Sequence, residues 1–257
     1  MTLLNSLANR PPASNAGEIG FGGVVQGLLT IVLLMTIASP ARAAGDFSPK
    51  SLDDQLIQFE KAFNERRPRG EGGRRGGLCA VSPGSDRLQN NYTIWNDRPL
   101  FIWQADGEIV VHRLRVFQAD TEELMGEQSL TLTDQSARYT GKPLQPGKVY
   151  SWELQFSRKL RSDQPTGLKI PVLETVSHNF QIMNNPKRKQ IDMDLDLLRI
   201  NLETIKANSD TIAIHNAQHF VNEGLLSDAL QVLYTVDRPS PRITDMLRTL
   251  LKDVCSG

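Results

Sequence analysis

Val149-Tyr150-Ser151-Trp152-Glu153-Leu154-Gln155-Phe156 decides the fold. Side chains of an extended chain alternate between two faces. Tyr150, Trp152, Leu154 and Phe156 therefore share one face, and Ser151, Glu153 and Gln155 the other. Three aromatics on one face of one strand need a core to bury them, so the middle of the chain is a β-sheet folded around this segment. Pro146-Gly147 just upstream makes the entering turn, because proline presets a negative φ and glycine supplies a positive one.

Further strands lie on either side. Pro99-Leu100-Phe101-Ile102-Trp103-Gln104 is one, ended by the hairpin dipeptide Asp106-Gly107. In the next run Val110, His112, Leu114 and Val116 fall on one face and Arg113 and Arg115 on the other. Glu127 to Leu132 places Leu130 and Leu132 together. Leu168 to Leu173 is confined to a sheet edge by Pro171. Thr175 to Met183 alternates, with Val176, His178, Phe180 and Ile182 inward. Short strands separated by turns predict a small antiparallel β-sandwich of immunoglobulin or fibronectin type over residues 78–184.

At Asn184-Asn185-Pro186-Lys187-Arg188-Lys189 the strand rhythm stops. Ile191, Leu195, Leu198, Leu202 and Ile205 recur at intervals of four, three, four and three, one apolar stripe on a helix. Asp192, Asp194 and Asp196 are placed in its first turns, where carboxylates suit the positive end of the helix dipole. A second helix runs from about Thr211 to Glu223, capped by Ser209 or Asp210 and ended by Gly224. A third follows Ser227, and a fourth opens at Ser240-Pro241 with Ile243, Leu247, Leu250, Leu251 and Val254 inward. The pair joined at Glu223-Gly224-Leu225 has the layout of a tetratricopeptide-like hairpin, with Ala229, Leu233 and the exit prolines in place. One such unit cannot bury its own face and must pack on something else. The predicted class is α+β: a sandwich followed by a C-terminal helical hairpin region over 185–257.

The N-terminal part is of another kind. Val24 to Ala38 is apolar, Pro40 follows, and Ala41-Arg42-Ala43 fits the small-x-small pattern before a cleavage site, so residues 1–43 read as a signal peptide. The export this predicts is to the periplasm or the extracellular space. Uncleaved, the segment would be a membrane anchor; after cleavage no remaining stretch is apolar for long enough to span a bilayer. Residues 44–77 hold a short amphipathic helix, Ser51 to Glu65 with Leu52, Leu56, Phe59 and Phe63 on one side, and a disordered linker rich in glycine and arginine, Arg66 to Gly77. A formal net charge of zero argues against a nucleic-acid partner. Cys79 and Cys255 are an even pair, a candidate disulfide in an exported chain; two separately buried thiols are the alternative.

The Gly/Arg run closing on Cys79, the Pro99-Leu100-Phe101-Ile102-Trp103 strand, the Leu144-Gln145-Pro146-Gly147-Lys148-Val149-Tyr150-Ser151-Trp152 turn and strand, and Glu223-Gly224-Leu225-Leu226-Ser227-Asp228-Ala229-Leu230 with Leu233 resemble an exported cyanobacterial family, domain of unknown function 928. The similarity covers about Arg69 to the C-terminus. Members often show a second cysteine shortly after the Tyr-x-Trp pair; Phe156 and Ser157 stand there in this chain, a reason to consider Cys255 instead. The resemblance implies export and a sheet followed by helices, and it brings no activity or site with it.

Chemistry-bearing sets are sparse. His215, His219 and Glu223 stand four apart on a predicted helix and could ligate a divalent metal; Asn216 occupies the place where a zinc-protease helix carries its general base. His112 and His178 fall on inward faces. Nucleophile elbows, P-loops and dinucleotide loops are absent, so no catalytic residue and no cofactor is assigned. Two binding features remain: Trp95, next to the turn-like Asn96-Asp97, as a surface aromatic, and the Arg66 to Arg75 run, with Arg74 and Arg75, for an acidic polysaccharide. The missing catalytic set and the tetratricopeptide-like pair therefore favour a non-enzymatic envelope protein with a protein partner. A polysaccharide-binding module comes second, and a metal-dependent enzyme using the histidine stripe third.

Overall fold

In the computed structural model the described residues are 51–68, 77–84, 88, 92–159 and 172–256. The predicted signal segment, Arg74 and Arg75, and most of the predicted 168–173 edge strand lie outside them. Among the described residues the chain is a mixed fold of five helices and two sheets. The three-stranded sheet has the order β1 (Leu78–Ser82), β3 (Leu100–Ala105), β6 (Ser136–Arg138). The five-stranded sheet has the order β2 (Thr93–Ile94), β8 (Leu173–Ile182), β7 (Val149–Arg158), β4 (Ile109–Gln118), β5 (Leu124–Ser129). Pairing is antiparallel except between β2 and β8, which run parallel and depart from the all-antiparallel expectation.

β7 is central and obeys its alternation: Tyr150, Trp152, Leu154 and Phe156 are buried. Trp152 packs on Phe101 with ring centroids 5.1 Å apart, and Tyr150 on Phe180 at 5.8 Å. The polar ends of both rings are satisfied: Trp152 Nε1 donates to the Pro83 carbonyl at 2.8 Å, and Tyr150 Oη accepts from Gln145 N at 2.8 Å. Gly147 holds φ +80° in the entering turn.

β3 does not alternate, because both its faces are covered. Phe101 and Trp103 join β7 and β8 side chains in a core between the two sheets. Leu100 and Ile102, with Cys79 and Val81 of β1, turn the other way into a second core made mainly by helices. Burial on both sides is what the unbroken apolar run Leu100 to Trp103 encodes.

The helices are α1 (Leu52–Arg66), α2 (Asn185–Thr204), α3 (Ser209–Asn222), α4 (Leu226–Tyr234) and α5 (Pro241–Ser256). α1 is no appendage ahead of the folded body. It starts on Ser51, whose hydroxyl accepts from Asp54 N at 3.2 Å, and buries Phe59 and Phe63 completely in the helical core against α3 and α5. α3 is capped by Asn208, whose side chain accepts from Thr211 N at 2.8 Å, in place of Ser209 or Asp210. Asp210 instead accepts from Ser240 N at 3.2 Å, tying α3 to the start of α5. Gly224 at φ +75° turns the chain from α3 to α4.

Three expectations need correction. On β4 the register shifts between Val111 and Arg113. A one-residue bulge exchanges the faces of a strand. Ile109 and Val111 are therefore buried together with Leu114 and Val116, while His112 is exposed and shares a 2.8 Å hydrogen bond with Ser157 Oγ. α2 begins at Asn185 with Pro186 in its first turn, so Asp192, Asp194 and Asp196 lie beyond the turn in which the helix dipole acts. Leu132, expected beside Leu130, is exposed past the end of β5.

Candidate functional site

The loop from β2 to β3 is gripped by helices. Trp95 N and Asn96 N donate to the two carboxylate oxygens of Asp228 at 2.9 and 3.0 Å. Asn96 Nδ2 and Leu100 N both donate to Gln231 Oε1, at 3.1 and 2.8 Å. Arg188 of α2 pairs with Asp97 at 2.8 Å. A small cleft of about 70 Å³ opens here, lined by Trp95, Asn96, Arg138, Phe220, Asp228 and Gln231 among others. Burial pushes the Asp228 carboxyl up to about 7, against the two backbone N–H donors and the charge of Arg188, which pull it down. With both oxygens committed to backbone donors, this carboxyl fixes a loop and is not aimed at a substrate.

Asp228 and Gln231 were not singled out in the sequence. The signal was available: α4 has nine residues, nearly all buried, and a polar pair three apart in such a helix has to satisfy something inside the protein.

Trp95 is part of this junction and not a free stacking surface. Its Nε1 donates to Asp192 at 2.9 Å, Phe220 lies 5.3 Å from its ring, and the Arg188 guanidinium lies 5.8 Å from the ring centre. A sugar ring stacks on an open aromatic face, and Trp95 is half-buried, with Phe220 and Arg188 beside its ring.

His215, His219 and Glu223 do not assemble a metal site. Glu223 caps α3 and pairs with Lys187 at 3.5 Å. His219 lies against Phe220, with ring centroids 6.2 Å apart and its Nε2 buried. Burial holds the His215 imidazole below its ordinary range. Positions i and i+8 of a helix are separated by about 12 Å, too far to share one ion. Among the described residues no three His, Cys, Asp or Glu side chains are placed to hold a metal. His178 is half-buried, its ring 5.9 Å from that of Trp152. Cys79 and Cys255 form a disulfide that joins β1 to α5.

The surface feature that stands out is on α2. Ile191 and Leu202 are buried and Leu195 packs on the same core. Met193, Leu197 and Ile200 are 54%, 61% and 52% exposed, at intervals of four and three. At about 100° per residue that second stripe lies on the side of the helix away from the first. Thr204 continues it one turn on; its hydroxyl bonds the Ile200 carbonyl at 2.8 Å. α2 thus carries two apolar stripes, one turned into the core and one exposed.

No family model matches the sequence, and neither does any curated protein. Among solved structures the chain is similar to CopC from Methylosinus trichosporium OB3b, at 13% identity and TM-score 0.27, over 42% of this chain and 95% of that one. It is also similar to the alpha-L-rhamnosidase from Dictyoglumus thermophilum, at 17% identity and TM-score 0.27, over 43% of this chain and 13% of that one. Likeness at this level carries no argument about function. No helix among the described residues is long and apolar enough to cross a membrane.

Proposed function

We propose that this chain is an exported, non-enzymatic cell-envelope protein of the domain of unknown function 928 type, working as a protein-interaction module. In this reading the two sheets form a small immunoglobulin- or fibronectin-like sandwich, and α3 and α4 form a tetratricopeptide-like hairpin packed on it. The supporting observation is the outward stripe Met193, Leu197 and Ile200 on a helix whose opposite side is already buried. Keeping such side chains in water forgoes roughly 25 cal/mol for each Å² a partner would cover.

The test is a photo-crosslinking residue at Leu197, with a second at exposed Lys252 of α5 as control, in intact envelopes. Leu197 is expected to give a discrete protein adduct and Lys252 none. The same diffuse background at both positions would refute the reading.

A further inference from the structure

We draw no further inference here: the strongest candidate, the small cleft between the β2–β3 loop and α4, belongs to the junction already described, since the Asp228 oxygens and Gln231 Oε1 are held by that loop and Gln231 Nε2, without a partner among the described residues, is buried below the reach of a ligand.

Discussion

Asp228 shows how one side chain ties stability to pH. Its ordinary value is 3.8, and burial raises it to about 7 in the folded protein. The folded state therefore keeps this proton through a range in which the unfolded chain has already released it. Its contribution to stability is complete below about pH 4 and is lost as pH rises to about 7, a loss of about 4 kcal/mol in all. Asp228→Asn removes the titration and leaves one backbone N–H of Trp95 or Asn96 facing an amide N–H₂. The variant should be less stable than the parent at pH 5 and should recover about 3 kcal/mol relative to it by pH 8. Urea unfolding of both proteins at the two pH values decides it; parallel pH dependences would mean that the carboxyl is not held protonated. This residue was legible only as a polar intruder in an apolar helix, since nothing local says that the loop at Trp95 would reach it. His112 was misplaced for a related reason. Alternation assigns faces only while a strand stays in phase, and the β4 bulge lies where the sequence carries no glycine or proline to announce it.

At the scale of elements, periodicity told which face of each helix is apolar but not what covers it. α1 is the clear instance. Its Leu56, Phe59 and Phe63 spacing was readable, yet the arginine- and glycine-rich run after it suggested a helix outside the body. Phe59 and Phe63 are fully buried and stack with centroids 5.8 Å apart. Phe59→Ala should accordingly cost about 3–5 kcal/mol in guanidinium unfolding of the whole protein. A loss below about 1 kcal/mol would place α1 outside the cooperative unit. α2 misled in the opposite direction. The stripe through Ile191 and Leu202 is the plain one, because the aspartates at 192, 194 and 196 interrupt the run in which Met193 and Leu197 sit. The second stripe is carried by the 4–3 spacing of Met193, Leu197 and Ile200.

At the scale of the molecule, two cores share the three-stranded sheet. One lies between the sheets around Trp103, Tyr150 and Trp152, and the other between β1, β3 and the helices. The division into strands first and helices after was plain from the change of period near Asn184. That β1 and β3 would serve both cores was not, since alternation is the signal for a half-buried strand and these strands are buried on both sides. The Cys79–Cys255 bond lies inside the helical core and closes 176 residues of chain. It therefore links the first strand of the sheet to the last helix, across nearly every described element except α1. Loop-closure entropy for so long a span amounts to about 5 kcal/mol, taken from the unfolded state. Replacing both cysteines by serine should lower the guanidinium midpoint sharply without changing the fold seen by near-ultraviolet circular dichroism. Reductant should destabilise the parent protein to the same degree and leave the serine variant unaffected. A parent midpoint indifferent to full reduction, verified by thiol titration of the unfolded protein, would show that contacts between the two cores, and not the covalent tie, hold the helices on the sheet.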